Sequence, residues 1–136
     1  MNERLQNVLA LGARVLIAAL FLPAGLAKLG GFEGTVGYIA SVGLPLPQLG
    51  AVLAVVVEVG GGLALLAGYK TRWVSWALAL FTVVAGVFFH AFWNAAPEQF
   101  MVQQIMFMKN LSIAGGLLAL SVLGAGGFSA DARRAE

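Results

Sequence analysis

The chain has 136 residues, of which 60% are hydrophobic and 10% charged, with a mean hydropathy of +0.91 and a formal charge of +2. Soluble domains carry about 25% charged residues, so a chain this apolar cannot cover itself with a water-facing surface, and membrane is the expected solvent. The small net charge, without a basic arm or block, excludes nucleic acid as a partner, and the absence of cysteine excludes disulfides, dithiol redox chemistry, iron–sulfur ligation and cysteine-based zinc sites.

Four apolar runs follow in order: 7–29, 46–69, 73–92 and 101–123. Each has about 20 residues or slightly more, enough at about 1.5 Å per residue to cross a hydrocarbon core of roughly 30 Å. Only helices satisfy their backbone within one such segment. The expected fold is all-α: a polytopic membrane protein built as one four-helix transmembrane bundle over residues 1–124, with a disordered cytoplasmic tail at 125–136. A secretory signal is a weaker reading of the first run, because the run is long and contains Arg14.

The longest connection, Gly30–Pro47, has weak helical periodicity through Phe32, Val36, Ile39 and Ala40. It predicts a short interfacial helix stopped by Gly43-Leu44-Pro45-Leu46-Pro47, with Pro47 suited to the first turn of the next helix. With the N-terminus inside, Arg4, Lys70, Arg72, Arg133 and Arg134 fall on the cytoplasmic side and Lys28 alone lies at an outer helix end. Both termini are therefore expected in the cytoplasm.

The second run carries one charge at its centre, Glu58. An acidic side chain there costs roughly 2.5–3.5 kcal/mol on insertion scales, so it needs a partner on another helix. Steps of three and four place Arg14, Ala18, Phe21, Gly25 and Lys28 on one face of the first helix. The same rule gives Gly50, Ala54, Glu58 and Gly61 or Gly62 on the second, Ser75, Ala79, Thr82, Gly86 and His90 on the third, and Lys109, Ser112, Gly116 and Leu120 on the fourth. These small and polar stripes read as inward faces, since small residues let helices approach closely in lipid. Counting residues from the outer helix ends puts Glu58 about 18 Å and Arg14 about 21 Å deep, with Lys109 about 12 Å deep. The expected charge pairing is Glu58 with Arg14 or Lys109, in a column that has His90 and Lys28 at the top, Lys109 and Asn110 below them, and Glu58 and Arg14 at the bottom.

Two readings of this column stand. It is a structural device that fixes helix assembly, or it is a polar pocket in which Glu58, Lys109, His90 and Lys28 bind a headgroup or relay a proton. His90 is the only histidine, so two-histidine haem ligation within one chain is excluded. A structural hydrogen bond is the expectation for it, and no metal site is expected. Gly60-Gly61-Gly62 lies inside a helix without the strand context of a phosphate loop and reads as packing.

Over residues 8–123 the chain resembles the DoxX family of small bacterial membrane proteins. The resemblance rests on Arg14 with Phe21, Gly25 and Lys28, on Gly43-Leu44-Pro45, on Glu58-Val59-Gly60-Gly61-Gly62 and Gly68, on His90 with Phe92-Trp93, and on Gln104, Lys109-Asn110 and Gly115-Gly116. It implies a four-helix protein of the bacterial inner membrane, related to DoxD-type subunits of thiosulfate:quinone oxidoreduction and to members linked with membrane oxidoreductase complexes. Thiol-relay chemistry ascribed to related proteins does not carry over to a chain without cysteine. The functional expectation is a subunit or partner of such a system that binds a quinone-like headgroup and carries no cofactor of its own. The alternative is a non-enzymatic scaffold or small-solute binder. The partners expected are the lipid bilayer, a redox partner subunit and a second copy of the chain.

Overall fold

The computed structural model describes residues 2–134. Its elements are α1 (Glu3–Gly30), α2 (Phe32–Ser41), α3 (Pro47–Val55), a π-helical turn (Val56–Gly60), α4 (Gly61–Ala67), α5 (Thr71–Phe89), a 3-10 turn (Phe92–Asn94), α6 (Pro97–Leu123) and α7 (Ala130–Arg134), with no strand among the described residues. Four stretches are long and apolar enough to cross a membrane: Glu3–Gly30, Pro47–Ala67, Thr71–Asn94 and Pro97–Leu123. The protein is an all-α, four-helix membrane bundle. One end holds the start of α1, the α4–α5 connection and α7. The other holds α2 and the α5–α6 connection.

Sequence explains the ends of these helices. Asn2 caps α1 by accepting the Leu5 N–H at 2.8 Å, which satisfies one of the first-turn donors. Pro47 and Pro97 stand in the first turns of α3 and α6, where a missing N–H costs nothing. α4 ends on Gly68 at φ +67°, with Tyr69 N–H bonded to Ala64 O and Gly68 N–H to Leu65 O, the paired bonds of a Schellman ending.

Three helices bury the faces expected of them. Arg14, Ala18, Phe21 and Gly25 are buried on α1, Ala54, Glu58 and Gly62 on the second span, and Ser75, Ala79, Thr82 and Gly86 on α5. Phe21, Leu65, Leu78, Ala114, Leu117 and Leu120 close the core between them. On the fourth helix only Leu120 of the expected face is buried. Lys109, Ser112 and Gly116 face outward, and α6 buries Ala114, Leu117, Leu120 and Ser121 with Asn110 half-buried. The reason lies in which polar group can escape. A lysine on the lipid side can extend toward the headgroups, whereas an amide must find its partner nearby. Asn110 Nδ2 donates to Thr82 O at 3.3 Å, beside Gly86.

The tail expected to be disordered is folded as far as Arg134; residues 135 and 136 lie outside the described residues. The Asp131 carboxylate accepts the backbone N–H groups of Lys70 at 2.7 Å and Thr71 at 2.9 Å. These are orphan donors at the start of α5, where the helix dipole also favours an anion. Lys70 sits at φ +45°, a strained conformation for a non-glycine residue, and this contact holds it there. Asp131 N–H bonds back to Gly68 O at 2.9 Å, Gly127 N–H donates to Asn7 Oδ1 at 2.7 Å, and the Arg134 guanidinium lies 4.6 Å from the Tyr69 ring. Composition hid this, because the Gly- and Ala-rich stretch has few apolar anchors. What orders it is hydrogen bonding to helix ends.

Burial pushes the Asp131 carboxyl up, but the N–H groups of Thr71 and Lys70, with Arg134 nearby, prevail and hold it below the usual carboxylate range. A depressed folded-state value contributes stability above the unfolded value, about 3.9, and that contribution is lost as pH falls through the folded value. Hydrogen exchange at Lys70 and Thr71, corrected for intrinsic rates, should therefore show protection at about pH 5 that persists through the usual carboxylate range and is lost only on further acidification.

Candidate functional site

The second span has its unusual geometry at Glu58. The π turn Val56–Gly60 replaces i→i+4 bonding by i→i+5 over this stretch, a local widening frequently found at functional positions. α1 packs tightly against this turn. A Cβ on Gly25 would stand 2.7 Å from Val59 Cγ2 and 2.9 Å from Glu58 Cβ, so only glycine permits the approach. That contact fixes depth: Glu58 is level with Gly25.

Glu58 is paired with Lys28. The Lys28 ammonium lies 2.9 Å from both carboxylate oxygens, with Glu58 buried and Lys28 about a third exposed. This corrects the expected pairing of Glu58 with Arg14 or Lys109. The depth count assumed that the helices begin at one level. From Glu58 the second span continues eleven residues to Pro47, about 16 Å, whereas α1 continues only five from Gly25 to Gly30, about 8 Å. The second span therefore overshoots α1, and Lys28 is within reach of Glu58. α2 packs against the overshoot through Val36, Ile39 and Ala51.

Arg14 lies eleven residues from Gly25, about 16 Å away along α1. It serves the opposite end of the second span. Its guanidinium donates to Leu65 O at 3.1 Å, Leu66 O at 3.0 Å and Phe128 O, so it satisfies the last carbonyls of α4 and ties the tail to them. Gly68 is confined beside it, since a Cβ there would stand 2.6 Å from Arg14 Nη1. Lys109 joins neither group; its ammonium is 3.9 Å from Met106 Sδ on the exposed side of α6.

Above the ion pair is a cavity of about 480 Å³. Lys28 and Glu58 line it together with Thr82, Asn110 and His90, while Tyr38 and Phe89 close it toward α2. Their rings stack at 5.1 Å between centroids. His90 Nδ1 is 3.0 Å from Gln103 Oε1. In the neutral tautomer that donates from Nδ1 to this oxygen, Nε2 keeps its lone pair. Apart from Thr35, the remaining wall is apolar and includes Leu53, Val84 and Phe88, which are themselves exposed to the membrane side. The site thus brings together three of the four residues expected to bind or relay, Glu58, Lys28 and His90, and leaves out Lys109.

The region built around these residues is also what similarity detects. A model of the DoxX family matches residues 9–91, more than half of the chain. The chain belongs to the DoxX family. It is 38% identical over 126 residues to the inner membrane protein YphA of Escherichia coli K12, covering 93% of this chain and 90% of that protein. It is 40% identical over 129 residues to the inner membrane protein YqjF of the same organism, covering 95% and 94%. No solved structure matches it. With four apolar spans and these relatives, this DoxX protein is a multi-pass inner-membrane protein.

Sequence reasoning missed Tyr38 and Gln103 as parts of the DoxX site. Tyr38 had a usable signal, an aromatic hydroxyl on the short helix between two spans. Gln103 had none, because its role depends on α6 starting at Pro97 and rising past the end of α5.

Proposed function

We propose that the cavity over Lys28 and Glu58 receives the headgroup of a lipid-borne quinone-like molecule, and that the protein acts beside a membrane oxidoreductase. The observation that carries this reading is a polar floor inside an otherwise apolar cavity whose wall reaches the lipid-facing surface. About 480 Å³ lies within the usual range for small-molecule sites. A quinone ring offers two carbonyl oxygens and needs donors. The Lys28 ammonium and the Asn110 amide lie on the wall and supply them, and Tyr38 and Phe89 offer aromatic faces. A bound quinone would supply two-electron, two-proton redox chemistry. Within this chain Glu58 and the free Nε2 of His90 would hold the protons. The chain contains no residue that carries electrons, so a partner subunit would provide the flavin, haem or iron–sulfur centre.

The same reading places both termini in the cytoplasm. Its support is that Arg4, Lys70, Arg72, Arg133 and Arg134 gather at one end of the bundle and Lys28 at the other. The closed ion pair favours a second reading, in which Lys28 and Glu58 satisfy each other and serve assembly alone. A short-chain quinone separates the two. It should raise the melting temperature of the detergent-purified protein, and Lys28→Met should abolish the shift while the protein stays folded. An unchanged melting temperature in the wild type would favour the scaffold.

A further inference from the structure

The end of the bundle that holds the start of α1 and α7 carries a second cavity, remote from Glu58. It measures about 420 Å³ and lies between the start of α5 and the tail, with Lys70, Thr71, Arg72, Trp73, Leu123 and Asp131 among its walls. The walls are of two kinds. Trp73 and Leu123 are 76% and 80% exposed at the level where apolar helices end, which is where acyl chains meet headgroups. Lys70 and Arg72 are cationic, and Arg134 of α7 lies over the neighbouring Tyr69 ring.

Donors exceed acceptors in this place. Asp131 is the one acid on the wall, and its two oxygens are taken by the N–H groups of Lys70 and Thr71. The Arg72 guanidinium makes no hydrogen bond among the described residues and runs past Gly124, with Nη2 3.7 Å from where a Cβ would stand. An unpaired guanidinium and an ammonium on the wall of one cavity, beside a lipid-facing tryptophan, call for an anion with several oxygens and an apolar attachment.

We propose that this cavity binds the phosphodiester headgroup of an anionic phospholipid. Its phosphate lies between Arg72 and Lys70, and its acyl chains run along Trp73 and Leu123. The planar guanidinium can give two parallel N–H bonds to phosphate oxygens, and lysine adds a point charge. Basic pockets at the ends of membrane helices favour anionic headgroups for the same reason. The lipid would join the α4–α5 connection to the tail that Asp131 already latches.

The test uses the full chain in detergent with mixed phosphatidylglycerol and phosphatidylcholine, followed by native mass spectrometry of retained lipid. Wild type should retain phosphatidylglycerol at about tenfold preference or more. Arg72→Gln with Lys70→Gln should bring the preference to parity without changing the circular dichroism, as both side chains are exposed. Arg72→Lys, which keeps the charge and loses the fork, should fall between and guards against a folding defect in the double variant. Glycerol phosphate, which has the anion without acyl chains, should compete poorly. No preference in wild type, or a preference that survives the double variant, would overturn the proposal. Equal competition by glycerol phosphate would assign the site to a soluble phosphate ester instead.

Discussion

Replacing Arg14 with methionine should destabilise the protein by about 3 kcal/mol, because three carbonyls, one of them buried, lose a charged donor that joins α4 to the tail. Arg14 is fully buried, and its two terminal nitrogens serve Leu65 O, Leu66 O and Phe128 O. Methionine fills much of the volume and supplies no N–H. Arg14→Lys should recover little, since one ammonium cannot reproduce a planar fork that spans two chain segments. The measurement is thermal unfolding in detergent, paired with trypsin cleavage after Arg133 and Arg134. Both variants should melt earlier and lose the tail faster than wild type. A variant that melts early with a protected tail would show that the contact to Phe128 contributes nothing to the latch.

The second large effect belongs to Lys28 and Glu58. Lys28→Met alone should cost about 2 kcal/mol. That is less than the 3–5 kcal/mol typical of a fully buried pair, because Lys28 is 31% exposed and solvent already screens it. The single variant strands a buried carboxylate. Lys28→Met combined with Glu58→Gln should cost less than the single change, since the amide carries no charge. The quantity to measure is the coupling energy from unfolding of wild type, both single variants and the double variant. Groups in one ion pair couple, whereas strict additivity would deny that they share an interaction.

The sequence was informative where a residue's chemistry left it one place to go. Small residues at helical spacing identified the inward faces of α1, the second span and α5, and Phe32–Ser41 was legible as a short helix from four apolar positions and the prolines behind it. Glu58 was recognisable as the residue needing a cation. Its partner was not, because pairing depends on the relative heights of two helices. Those heights are set by the Gly25 contact and by α2 packed on the overshoot of α3. The face of α6 was misread for a related reason. Lys109 and Asn110 are adjacent, both polar, and point about 100° apart. Which one turns inward was decided by the Thr82 carbonyl on another helix. The tail shows the opposite limit. Its order comes from Asp131 and from the backbone at Gly127 and Phe128 meeting groups more than 50 residues away in sequence, as the spacing of 61 to Lys70 and 114 to Arg14 illustrates. No local pattern reports such contacts.

The cavity floored by Lys28 and Glu58 is the place where a quinone-like molecule must bind. The most direct measurement is photolabelling of the membrane-embedded protein with an azido-quinone analogue, followed by peptide mapping. The label should fall on the cavity-lining segments of α1, α2, the second span and α5, Tyr38–Leu44 and Phe81–His90 among them, and excess unlabelled quinone or Lys28→Met should abolish it. Label spread over the exposed side of α6 around Met106 and Leu111, unaffected by competitor or by Lys28→Met, would contradict the account.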